Sequence, residues 1–146
     1  NGVASIFLSI VKNNKPPKIN EDGLQTRDFV HINDIVKVVQ LSIENKAADF
    51  EVFNVGSGEP ITIVRVAKVV LELCKSSLTP EITGKFRNFD VRHCYADTAK
   101  LQKLLGWSPT ISFEQGMLGV FEWAKDQRAV DLVDQANQEL SQRGLR

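Results

Sequence analysis

The sequence is short of the residues that most often carry chemistry: two cysteines, two histidines, one tyrosine and one methionine in 146 residues. Cys74 and Cys94 cannot form a disulfide framework, and no spacing of Cys, His, Asp or Glu reads as a metal-ligand set. Both are expected to be buried free thiols, Cys74 on an apolar helical face. No charge predominates: 18 Lys and Arg balance 18 Asp and Glu. Without a global field to attract nucleic acid or an anionic membrane, any anion binding must be local, built from a few placed arginines. No apolar run approaches the roughly 18 residues of a membrane helix, and no signal-peptide pattern is present. These absences predict an intracellular, cytoplasmic chain. No serine sits in a Gly-x-Ser-x-Gly elbow, so His31 and His93 have no evident nucleophile to activate. The "GSG" at 56–58 lacks the third glycine of a dinucleotide fingerprint and the Gly-Lys-Ser/Thr of a P-loop. It reads as a tight strand-to-helix turn. His31 reads as a satisfied structural histidine. The chain opens on Asn1 and enters an apolar periodic segment at once, which reads as a start in mid-domain.

What is present suits one ordinary domain, 42% hydrophobic and 25% charged. Val3, Ile6, Phe7 and Ile10 predict a helix that runs out at Asn13–Asn14. Pro16 and Pro17 lead into a short strand, and Asp22–Gly23 marks a turn. "TRDFVHI" reads as a strand. Asn33 is a candidate cap for the helix "DIVKVVQLSIENK", with Ile35, Val38 and Val39 on one face. "EVFNV" reads as another strand. Thr62 is a candidate cap for the helix whose Ile63, Val66, Ala67, Val70 and Cys74 repeat at three and four. "PEITG" is a short strand and "KFRNFDVRHCY" a charged irregular segment. Asp97 is a candidate cap for a helix ending at Gly106. Ser112 and Gln115 form a capping-box pattern, before a helix with Phe113, Met117, Val120, Phe121 and Ala124 on one face. A last charged helix is expected through "VDLVDQANQELSQRG". Short strands between helices make an α/β or α+β chain. The strands are too few to cover both broad helix faces, so part of the sheet is expected to lie outside the chain.

The arginines are the best candidates for chemistry. Arg27 starts a strand beside a turn, while Arg87 and Arg92 lie in the irregular segment. Two guanidinium forks from separate segments can grip a diphosphate bidentately. The alternative is local pairing, Arg27 with Asp28 and Arg87 with Asp90.

Four strings, in order, carry a resemblance: "DGLQTRDFVHINDIV", "FNVGSGEPITI", "RNFDVRHCYADTAKLQKLLGW" and "SFEQGMLGVFEWA". Together they resemble the C-terminal part of NAD-dependent nucleoside-diphosphate-sugar epimerases and dehydratases, including UDP-glucose 4-epimerase-like proteins. These are extended short-chain dehydrogenase/reductases. The resemblance implies a fold made of the substrate-binding α/β lobe plus the last strand and helices of a Rossmann domain. It divides the chain into a substrate-binding part, 1–127, and a C-terminal helical tail, 128–146. It implies that Arg27 reaches the nucleotide diphosphate and Arg87 supplies the second contact. Gln25 would sit beside the nucleotide, and backbone groups from Pro17 to Ile19 would run along the base. Asp90 would touch a ribose hydroxyl or orient Arg87. Asp28 would brace the strand or Arg27, and Asn54 and Gly56 would serve structure. Phe89 stands where the family usually has Gly, which bears on the aim of Arg87.

The family's Tyr-x-x-x-Lys pair has no match here, because position 99 is Ala99, four residues after Tyr95. The implied NAD, which oxidises the sugar transiently in such enzymes, would bind residues upstream of this region, with none expected on this chain. Neither a catalytic residue nor a metal ligand is assigned. The implied partner is a nucleoside-diphosphate sugar, with a possible homodimer in a full-length protein and no nucleic acid or membrane. The chain alone is expected to be inactive. Alternatives are a standalone nucleotide-sugar binding module, a dehydratase or reductase of the same family, and a structural α/β module with paired surface arginines.

Overall fold

The computed structural model describes residues 2–86 and 90–129, together with 138, 139 and 142. In chain order the elements are α1 (Val3–Lys12), β1 (Lys18–Ile19), β2 (Thr26–Arg27), α2 (Ile32–Glu44), β3 (Ile61–Thr62), α3 (Ile63–Leu73), β4 (Glu81–Ile82), α4 (Ala99–Leu105) and α5 (Phe113–Ala124). They fall into two compact units, one from segments 1–25, 62–92 and 117–146, the other from 26–61 and 93–116.

In the first unit α1 packs on α3. Phe7, Leu8, Ile10 and Val11 of α1 are buried, as are Ile63, Val66, Ala67, Val70 and Leu71 of α3. The three-and-four spacing of these residues puts them on one stripe of each helix, which is why the pair buries cleanly. The N–H groups of the first three residues of α3 are satisfied. Thr62 Oγ1 accepts from Arg65 N–H at 3.3 Å, and the carbonyls of Gln25 and Gly23 accept from Ile63 and Val64, each at 3.0 Å. Asp22 Oδ1 accepts from Leu24 N–H at 2.9 Å, closing the expected turn. Gly23 takes φ +81° there, and a Cβ on it would press Ile19, Ile82 and Val64 at 3.3 Å. β1 pairs in parallel with β4, Lys18 opposite Glu81 and Ile19 opposite Ile82.

In the second unit β2 pairs with β3, whose Ile61 belongs to the same unit. Val38, Leu101 and Trp107 form the core, with Leu41, Phe53, Val55 and Leu105 against it. α4 ends on Gly106 in the left-handed region, φ +64°. Asp97 Oδ1 accepts from Ala99 N–H at 3.0 Å, although the residue bounding α4 is Thr98. The capping box forms in both directions: Gln115 Oε1 accepts from Ser112 N–H at 3.0 Å, and Ser112 Oγ accepts from Gln115 N–H at 3.2 Å.

Several expectations are corrected. The strand read as "TRDFVHI" stops at Arg27, because the next side chain turns to other segments and Phe29 packs on Phe113, ring centres 5.0 Å apart. α2 is capped by His31, whose Nδ1 accepts from Asn33 N–H at 3.1 Å, not by Asn33. "EVFNV" forms no strand. Phe53 and Val55 alternate into the core, but no ladder bond reaches residues 52–55 among the described residues. Val39 and Val120 are exposed. Cys94 is exposed and Cys74 half-buried, both free. Most of the last charged helix lies outside the described residues; Gln138, Glu139 and Gln142, which are described, are helical.

α2 has two apolar faces. At about 100° per residue, Asp34, Val38 and Leu41 cluster on the inward side. Ile32, Val36, Val39 and Ile43 form a second stripe, and all four are exposed, Ile43 at 81%. The polar residues Asn33, Lys37, Gln40 and Glu44 fill only the remaining sector.

Candidate functional site

The predicted residues fall in both units. Arg27, half-buried, closes the two-residue β2 in the second unit. Its Nη1 donates to the carbonyl of Thr26 at 2.8 Å. Thr26 is itself fixed: its Oγ1 is 3.0 Å from His93 Nδ1, and its carbonyl accepts from Cys94 N–H at 3.2 Å. His93 therefore holds β2 from the side.

Asp28 is fixed on the other side of Arg27. Ser57 donates to Oδ1 through its N–H at 2.7 Å and its hydroxyl at 2.6 Å. The N–H groups of Gly58 and Ala96 each donate to Oδ2 at 3.0 Å. Asp28 thus braces the Gly56–Gly58 turn and the segment at 96. Burial would raise its pKa, but the Ser57 hydroxyl and the N–H groups of Ala96, Ser57 and Gly58 outweigh burial and hold it below the ordinary range. The N–H groups that could have cradled a phosphate already hold the chain's own carboxylate. This turn does not fit the pyrophosphate of a dinucleotide.

Asp34 repeats the device at the start of α2. It is fully buried and accepts from Thr110 Oγ1 at 2.7 Å and from the N–H groups of Thr110 and Ile111, both at 3.1 Å. Burial raises its pKa, while Thr110, Ile111 and Lys37 outweigh burial and leave it lowered. Sequence reasoning passed over Asp34. An acidic residue in a first helical turn is ordinary dipole complementation, and nothing local signals a partner 76 residues away.

In the first unit, Pro17 and Ile19 are buried. Their carbonyls accept from Glu81 and Thr83 N–H at 2.9 and 2.8 Å. Successive residues of a strand direct their backbone groups to alternate edges, so Lys18 carries the groups aimed away from β4. Gln25 is buried, its Nε2 donating to the Asn20 carbonyl at 3.0 Å. Its Oε1 is buried without a hydrogen-bond partner, a costly state for an amide oxygen. Asp90 is exposed. Arg92 bridges two carboxylates, Nη1 to Glu21 at 2.5 Å and Nη2 to Asp22 at 2.7 Å. The hydrogen bond from Arg92 lowers the pKa of Asp22, and the one to Asp22 raises that of Arg92. Arg87 and Phe89 lie outside the described residues. No metal-binding cluster occurs among the described residues, nor a helix long and apolar enough to cross a membrane.

Comparison with known proteins places the chain. The UDP-glucuronate 4-epimerase of Thermodesulfobacterium geofontis is 35% identical over 121 residues, covering 82% of this chain and 36% of that protein. The crystal structure of Thermotoga maritima UDP-glucose 4-epimerase with UDP-glucose aligns with TM-score 0.75 at 32% identity, over 84% of this chain and 38% of that one. The UDP-glucuronic acid 4-epimerase of Bacillus cereus, solved with UDP-glucuronic acid and NAD, aligns with TM-score 0.76 at 26% identity, over 86% and 40%. The chain spans little more than a third of the length of these relatives. The fold expected from the resemblance, that of part of an extended short-chain dehydrogenase/reductase, is the one observed. The family described as GDP-mannose 4,6 dehydratase matches residues 3–119, and the chain belongs to it.

Proposed function

We propose that this chain is the nucleoside-diphosphate-sugar-binding part of an NAD-dependent sugar-nucleotide epimerase or dehydratase. The observation that carries the reading is its similarity to a UDP-glucose 4-epimerase solved with UDP-glucose, at 32% identity over 84% of the chain. The local structure supports it. Arg27 stands between two anchored neighbours and contributes a guanidinium to the diphosphate, where a planar fork matches two phosphate oxygens. Gln25 meets the nucleotide on the strength of its motif. The backbone of Lys18, between Pro17 and Ile19, runs along the base. Arg87 is the second diphosphate contact on the strength of its motif, and Asp90 serves the ribose or Arg87. NAD supplies transient oxidation of the sugar, and residues of a longer protein hold it. This chain binds and orients the sugar nucleotide and does not turn it over alone.

The test is calorimetric titration with UDP and UMP. Binding of UDP, with UMP weaker by about tenfold or more for loss of a charge-assisted phosphate contact, supports a site built for a diphosphate. Equal affinity for the two, or no binding of UDP, contradicts it. Epimerisation of UDP-glucose by the purified chain with NAD would contradict the expected inactivity.

A further inference from the structure

We propose that Asp28 is a positioning residue for Arg27: it sets the guanidinium's aim by locking the backbone on its C-terminal side. The inference rests on the sugar-nucleotide reading and extends it to a side chain that need not touch ligand.

Three observations combine. Thr26, just before Arg27, is held by His93 and Cys94. Asp28, just after it, is held by four donors from Ser57, Gly58 and Ala96. Arg27 is thus bracketed by segments about 30 and 70 residues away, and β2, only two residues long, needs that bracketing to stay in place. The charge is also specific. Each carboxylate oxygen receives two donors, so an amide in either orientation would turn an NH2 group against N–H donors. Finally, the contact excludes a side chain at 56, because a Cβ there would lie 2.4 Å from Asp28 Oδ2. A carboxylate that merely needed solvation would not require such an approach.

The test compares UDP affinity in the wild-type chain, Arg27→Ala, Asp28→Asn and the double variant, with Asp34→Asn as a control that removes a buried carboxylate, held by three donors, from the same unit. If Asp28 acts through Arg27, Asp28→Asn weakens UDP about fivefold or more and adds nothing once Arg27 is alanine. Asp34→Asn then lowers the melting temperature without changing affinity in the folded protein. Additive losses, or an Asp28→Asn affinity equal to wild type, overturn the proposal.

The second measurement needs no ligand. The Arg27 Nε–H resonance should shift and exchange faster with water in Asp28→Asn, and stay put in Asp34→Asn. An unmoved resonance overturns the positioning role. If Asp28→Asn does not fold, Ser57→Ala removes one donor and keeps the charge, and it should move the same resonance. Should wild type fail to bind UDP, the nucleotide reading falls, while the Arg27 resonance still decides whether Asp28 positions it.

Discussion

The Asp28 carboxylate and the Cα of Gly56 approach so closely that a methyl group on residue 56 would lie 2.4 Å from Oδ2 and 2.6 Å from the Cβ of Ala96. Both contacts are far inside van der Waals separation. Gly56→Ala must therefore displace either the carboxylate or the 96 segment. The expected cost is about 2–3 kcal/mol, the scale for losing hydrogen bonds to a charged group, read as a fall in the denaturation midpoint. Gly2→Ala, at a position with nothing within 4 Å of a built Cβ, should leave stability within about 0.5 kcal/mol.

Acid should destabilise the fold through Asp28 and Asp34. The pKa values of Asp28 and Asp34 are both lowered, with burial opposing and hydrogen bonds prevailing. A carboxyl with a lower pKa folded than unfolded stabilises the fold above its unfolded value, about 3.9, and loses that contribution as pH falls toward the folded value. Chemical denaturation should show stability flat from pH 7 to about 5 and falling below about 4. Asp34→Asn should flatten the fall. An unchanged acid limb in Asp34→Asn contradicts the assignment.

Removal of either half of the capping box at α5 should cost about 1 kcal/mol. Ser112→Ala orphans Gln115 N–H, and Gln115→Ala orphans Ser112 N–H. The double variant should cost less than the sum, since either change disrupts the pair; full additivity by thermal denaturation would contradict a reciprocal box.

The outer stripe of α2 should behave as surface. Val36 and Val39 are 47% and 53% exposed, so Val36→Ser with Val39→Ser should change stability by under about 1 kcal/mol. It should also reduce any self-association seen by sedimentation, since contiguous exposed apolar residues favour contact between copies. A loss of several kcal/mol would show that the stripe is core.

The two thiols should separate in a labelling experiment. Burial raises the pKa of Cys74, with Lys12 opposing, while Cys94 is exposed. Since the thiolate reacts, one thiol should label quickly at pH 7 and the other slowly, and Cys94→Ser should remove the fast phase.

What the sequence made legible was local. Thr62 as a cap, the Ser112–Gln115 box and the Gly106 stop each depend on residues within four positions, and each appears as read. The strands at "KPPKI" and "PEITG" formed, but two others fell short for the opposite reason. Alternation in "TRDFVHI" and "EVFNV" shows which side chains share a face, but a ladder needs a partner, and only Thr26–Arg27 of these residues find one. Asn33 outranks His31 as a cap by general preference, yet the cap falls two residues earlier than that reading placed it, and the Nδ1 of His31 accepts from Asn33 N–H. Arg27 stood out through its motif. The partners of Asp28 lie 29 to 68 residues downstream, beyond any local pattern.

The most direct test of the account is UDP titration of the wild-type chain against Arg27→Ala. If Arg27 grips the diphosphate, wild type binds UDP and the variant binds it about tenfold or more weakly, with an unchanged melting temperature. Equal affinity in the two proteins, or no UDP binding in either, would contradict the account.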